Sequence, residues 1–195
     1  MILASQSASR AAMLRNAGVR IETQPARIDE AAVKAAMLNE GATARDVADC
    51  LAEMKALRIS ARRPEELTLG ADQVLVCDGE MFDKPADMAA ARTHLQNLRG
   101  RTHQLHSAAV IAQRGEPIWR HIGTARLTMR PFTETFLDDY LAAFGETALT
   151  SVGAYHLEGL GAQLFQKVEG DYFTILGLPL LEILGFLRAR GELFE

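Results

Sequence analysis

The sequence predicts an α/β protein built on a mixed, bent sheet flanked by helices, with two lobes around a cleft. Short apolar runs alternate with amphipathic stretches through the first half of the chain, and two long strand-like segments then flank Arg114-Gly115. No repeat, low-complexity linker or composition shift divides the chain, so residues 1–195 are expected to form a single domain.

Each element has its own signal. Residues 1–4 are an apolar run ending at Ser5, which reads as the N-cap of a helix that carries Met13 and Leu14 and closes at Gly18. Residues 19–23 read as a second strand, and Ile28-Asp29-Glu30 leads into an Ala-rich segment over 31–38. Val47, Leu51, Met54 and Leu57 stand at helical spacing until Pro64 stops the helix. Residues 67–77 are apolar enough for a strand covered on both faces, and Asp78-Gly79 is a turn signal. Asp87 then caps a helix with Ala91, Leu95 and Leu98 on one stripe, ended by Gly100. Residues 102–113 and 117–129 form the two arms of a hairpin. Thr133 caps a helix to about Phe144, and a glycine-rich stretch leads to a last helix opened by Pro179 and running to Ala189.

Composition narrows the class of function. A chain of 195 residues, 48% apolar and 24% charged, buries about 70% of its unfolded surface and needs no disulfide or structural metal. Cys50 and Cys77 are expected to be ordinary buried thiols, because no CxxC spacing or partnering His pair suggests zinc. No signal peptide is evident, which points to the cytoplasm. Residues 175–187 are interrupted by Pro179 and Glu182 and fall short of the roughly 20 residues a bilayer crossing requires. The net charge of -4 gives no attraction to extended nucleic acid, so a bound polyanion must be met by a local cluster of cations.

Several residues are candidates for such chemistry. Ser5-Gln6-Ser7-Ala8-Ser9-Arg10 joins strand to helix, where N–H groups, hydroxyls and a guanidinium can converge on an anion. A capped helix with solvated serines accounts for the same residues. Asp72 is a lone carboxylate in an apolar strand, suited to holding a divalent ion or taking a proton from water, or else to backbone hydrogen bonds at a strand end. Lys55 and Lys84 are phosphate partners or solvated lysines, and Glu30 is a second metal ligand or a favourable acid at a helix start. There is no GxxxxGK[ST] and no complete GxGxxG, which excludes P-loop and Rossmann readings. His103 and His106 show no metal-ligand pattern and are read as sharing one face of a strand.

Taken in order, these segments resemble the Maf family of nucleoside triphosphate pyrophosphatases. The resemblance rests on Leu3-Ala4-Ser5-Gln6-Ser7-Ala8-Ser9-Arg10, Ile28-Asp29-Glu30, Leu51-Ala52-Glu53-Met54-Lys55-Ala56 and Gly70-Ala71-Asp72-Gln73-Val74. It continues through Asp83-Lys84-Pro85, Gly100-Arg101-Thr102-His103, Gly153-Ala154-Tyr155-His156-Leu157-Glu158-Gly159 and Gly177-Leu178-Pro179-Leu180. It implies a cytoplasmic homodimer, a fold similar to inosine triphosphate pyrophosphatases, and cleavage of a nucleoside triphosphate between its α and β phosphates with Mg²⁺ or Mn²⁺. It assigns Asp72 as catalytic acid and proton acceptor, Ser7, Arg10, Lys55 and Lys84 as phosphate contacts, and Asp72 with Glu30 as metal ligands.

The resemblance also places substrate choice at Ser9, Gln73 and Glu158. Gln73 and Glu158 match the branch acting on 7-methyl-GTP, whereas Ser9 stands where that branch has Trp, and Ser151 where much of the family has Lys. A carboxylate suits the paired N1–H and N2–H donors of guanine and the positive charge that 7-methylation adds. A dTTP or UTP pyrophosphatase, or a non-enzymatic regulator of cell division, is the alternative. A membrane partner is not expected.

Overall fold

A computed structural model describes residues 1–193. β1 (Ile2–Leu3) pairs in parallel with β2 (Glu22–Thr23) and with β3 (Thr68–Cys77), placing Ile2 opposite both Glu22 and Thr68. β3 pairs antiparallel with β4 (Glu80–Phe82). With β5 (Thr102–Gln113), β6 (Glu116–Met129) and β7 (Phe165–Glu169), the strands make a seven-stranded sheet in the order β2-β1-β3-β5-β6-β7, with β4 branching from β3. The sheet is mixed, as expected, and helices accompany it: α1 (Ala8–Asn16), α2 (Glu30–Asn39), α3 (Ala44–Ser60), α4 (Met88–Leu98), α5 (Glu134–Phe144), α6 (Tyr172–Ile175) and α7 (Leu180–Ala189). Among the described residues no helix is long and apolar enough to cross a membrane.

The chain divides into two compact units. The first comprises Met1–Gln73, His106–Gly123 and the chain from Asp171 onward. Its core gathers Leu3, Leu14, Leu69, Ile111, Leu178, Ile183 and Leu187, all buried, from β1, α1, β3, β5, α7 and the turn before α7. α3 lies against β3 through small side chains. A Cβ at Gly70 would collide with the Ala52 carbonyl oxygen and lie 2.6 Å from the Ala56 nitrogen, so strand and helix meet backbone to backbone.

The second unit comprises Val74–Leu105 and Thr124–Gly170. α4 buries Ala91, Leu95 and Leu98, and α5 buries Leu137, Tyr140 and Leu141. Their solvent sides are joined by Arg92 and Arg99, each paired with Glu134, at 3.2 and 2.6 Å. His103, Tyr155 and Phe165 pack as an aromatic cluster with centroids 4.8 to 5.9 Å apart. The His103 Nε2 lies 2.8 Å from the Tyr155 hydroxyl, while Nδ1 is buried with no partner among the described residues.

Several elements differ from the sequence expectation. Ser7, not Ser5, caps α1: its Oγ accepts from Arg10 N at 3.3 Å, while Ser5 Oγ accepts from Ser7 N and from Arg10 Nη1. The second strand is only Glu22–Thr23, because Val19 N is taken by the Leu14 carbonyl as α1 closes. α3 buries Ala48, Ala52, Lys55, Ala56 and Ile59 rather than Met54, which is 37% exposed; a face of alanines approaches β3 more closely than larger residues could. β4, β7, α6 and two 3-10 turns (Gly145–Thr150 and Leu160–Leu164) occupy stretches without a sequence signal. His103 is buried and His106 half-buried. They stand an odd number of residues apart, so strand alternation sends them to opposite faces rather than one. Cys77 is buried, but Cys50 is only half-buried.

Candidate active site

The close packing at Gly70 brings two buried ionisable groups together. Lys55, one residue before Ala56 on α3, reaches Asp72, two residues after Gly70 on β3. Its Nζ donates to Asp72 Oδ1 at 2.6 Å and lies 2.8 Å from Glu30 Oε1, so one ammonium bridges two carboxylates. Lys55 and Asp72 are each 7% exposed, whereas the Glu30 side chain is half exposed at the start of α2. Asp29 caps that helix through Ala32 N at 3.0 Å, which fixes where Glu30 begins. Burial pushes the Asp72 carboxyl above the ordinary carboxylate range, although Lys55 and Arg10 both favour its charged form.

Arg10 is held by main-chain oxygens. Its Nε donates to Gly177 O at 2.8 Å, and its Nη1 donates to Ala71 O at 2.9 Å. Burial pulls the guanidinium below its ordinary value, with Asp72 and then Glu30 opposing. Gln73, next to Asp72, is half-buried and directs its amide nitrogen into the fold. Nε2 lies 2.9 Å from Ser107 Oγ, 3.1 Å from Thr174 O and 3.0 Å from Ile175 O. Carbonyl oxygens only accept, so the amide orientation is fixed by its neighbours.

Ser9 is half-buried in the first turn of α1. In the second unit, Lys84 is exposed between β4 and α4, and Glu158 is exposed just before the Leu160–Leu164 turn. Glu158 Oε1 lies 3.4 Å from His156 Nδ1, and His156 Nε2 lies 2.7 Å from Thr150 Oγ1. Ser151 closes the local turn, donating to Tyr155 O at 2.7 Å and accepting from Tyr155 N at 3.0 Å.

Residues 1–190 match the sequence profile of the family described as Maf-like protein. The chain belongs to the Maf family. It is 55% identical over 192 residues to the nucleoside triphosphate pyrophosphatase of Paramagnetospirillum magneticum, covering 98% of this chain and 99% of that one. It is 53% identical over 193 residues to the 7-methyl-GTP pyrophosphatase of Mesorhizobium japonicum, covering 99% and 97%. A solved nucleoside-triphosphatase, a dITP/XTP pyrophosphatase from Mycobacterium abscessus, aligns over 97% of this chain and 94% of that one. At 15% identity and a TM-score of 0.40, that likeness is too slight to bear on function.

In this Maf chain the first unit thus brings Arg10, Glu30, Lys55 and Asp72 into mutual electrostatic reach, with Ser7 and Ser9 at the start of α1 beside them in sequence. Ser107 and Thr174 were not singled out by the sequence. The available signal was a lone hydroxyl, Ser107, at the head of the apolar run Ala108 to Ala112. The other was Gly123, where a Cβ would collide with the Thr174 side chain.

Proposed function

We propose that this Maf chain hydrolyses nucleoside triphosphates between the α and β phosphates, giving the nucleoside monophosphate and pyrophosphate, with 7-methyl-GTP the favoured substrate. The observation that carries the reading is the buried Lys55–Asp72 pair, bridged to the half-exposed Glu30, beside the anchored Arg10. A carboxyl raised by burial is a better proton acceptor near neutrality than an exposed one. Asp72 takes a proton from the water whose oxygen bonds to the α phosphorus, and the bridging P–O bond breaks with its electron pair leaving on pyrophosphate. Arg10 and Lys55 offset the charge that gathers on that leaving group, without a covalent intermediate.

The family resemblance implies a divalent cation, Mg²⁺ or Mn²⁺, and the donor set fits one. Asp72 and Glu30 both turn an oxygen toward the Lys55 ammonium, at 2.6 and 2.8 Å, so the two carboxylates lie close enough to share one cation, and Mg²⁺ commonly takes one or two carboxylates together with phosphate oxygens and water. Asp72 and Glu30 would hold the ion, which when bound neutralises phosphate charge.

The preference for 7-methyl-GTP draws on Glu158, whose exposed carboxylate suits a cationic guanine, and on the 7-methyl-GTP pyrophosphatase name borne by a relative of 53% identity. A cytoplasmic homodimer is the setting the resemblance implies. The test is one panel: purified protein with 7-methyl-GTP, GTP, dTTP, UTP, CTP and ITP, scored for pyrophosphate and orthophosphate with Mg²⁺ or Mn²⁺ and with a chelator. Pyrophosphate release, fastest on 7-methyl-GTP and lost on chelation, is expected. Orthophosphate as first product would overturn the reaction, and a dTTP or UTP preference would overturn the base assignment.

A further inference from the structure

We infer that Gln73 and Ser107 are positioning residues for Arg10, acting through the main chain of residues 174–177. The inference rests on the proposed hydrolysis for its kinetic consequence, though not for its structural one.

Arg10 Nε is oriented by a carbonyl that belongs to Gly177, 167 residues along the chain. That carbonyl follows α6, a helix of four residues opened by Asp171, whose Oδ2 accepts from Thr174 N at 2.7 Å. Gln73 on β3 and Ser107 on β5 tie this segment to the sheet. Ser107 Oγ donates to Thr174 O at 2.7 Å while accepting from Gln73 Nε2, and Gln73 Nε2 also reaches Thr174 O and Ile175 O. Thr174 O also accepts from Gly177 N at 3.1 Å, so the side chains add to the main-chain bonds of this turn.

Gly123 allows the approach from the other side, since the space a Cβ would fill is taken by the Thr174 side chain, whose Cγ2 would be 2.8 Å away. Ser107 and Thr174 are buried, and Gly177 is held in a conformation with φ 102° that only glycine adopts freely. From Gly177 the guanidinium is passed back to Ala71 O, one residue before Asp72. The path therefore runs from Gln73 through Thr174 and Ile175 to Gly177, then through Arg10 to the residue preceding Asp72. Both amide hydrogens of Gln73 are used along it, and Oε1 is the acceptor that remains on this side chain.

Two variants and two readouts test this. Ser107→Ala removes the hydroxyl bridge with little change in volume, and Gln73→Met keeps the side-chain length while removing the donors. In free protein, the Arg10 Nε–H resonance should be protected from solvent exchange in the wild type and exchange faster in both variants. Continued protection in both would overturn the inference whether or not the protein hydrolyses any nucleotide. In the substrate panel, both variants should lower kcat by about tenfold or more on every substrate with the ranking unchanged. In an Arg10→Ala background, Ser107→Ala should cost nothing further. A reordered ranking in Gln73→Met would make Gln73 a base reader, and an undiminished Ser107→Ala effect without Arg10 would make the network structural only. Thermal unfolding of each variant separates these outcomes from loss of the fold.

Discussion

Asp72 is costly to the fold, and suited to the proposed chemistry, for one reason, its burial in an apolar strand. Replacing it with Asn keeps the shape and removes the proton acceptor, so kcat should fall by about 10²- to 10⁴-fold while the circular dichroism spectrum is unchanged. A well-folded Asn variant with near-normal turnover would remove Asp72 from the reaction. Lys55 is the counterpart: Lys55→Met leaves two carboxylates facing each other with no cation between them. Losing one partner of a buried pair costs about 3–5 kcal/mol, which urea unfolding should register as a lower midpoint. Residues of this kind were only half legible in the sequence. A carboxylate inside an apolar run marks Asp72, but nothing local distinguishes Lys55 from a solvated lysine. Its burial depends on which face of α3 meets the sheet.

That face is decided at Gly70, where α3 rests on β3 with no side chain between. Gly70→Ala would force helix and strand apart, costing about 1–3 kcal/mol and drawing Lys55 away from Asp72. Both thermal stability and pyrophosphate release should therefore fall together. Gly185 in α7 is the contrasting case, because a Cβ there meets nothing within 4 Å. Gly185→Ala should raise stability by about 1 kcal/mol through helix propensity alone, without touching activity. Sequence signals located elements well where the chain carries its own punctuation. Asp87 and Thr133 cap α4 and α5 as read, and Asp78-Gly79 and Arg114-Gly115 turn with positive φ. They failed where an element exists only through its neighbours. β7 is five residues with four exposed, defined by its pairing with β6, and α6 is a single turn held by side chains from distant strands.

Across the whole molecule the clearest pH dependence comes from His103, a residue the candidate site does not use. Its burial lowers the imidazole from 6.5 to about 4, so the folded protein binds fewer protons than the unfolded chain between those values. Stability is then fully expressed above pH 6.5 and declines as the pH falls toward 4, by about 3 kcal/mol in all. Urea titrations at pH 7 and pH 5 should show the loss, and His103→Gln should flatten the slope. An equal slope in that variant would assign the acid sensitivity elsewhere.

The carbonyl that orients Arg10 arrives 167 residues after the arginine itself. A chain emerging from the ribosome therefore carries Arg10, Lys55 and Asp72 long before it can lock the first of them in place. A nascent chain that ends before Gly177 lacks the oxygen that holds the guanidinium. Contacts closed over such a span also form late in folding.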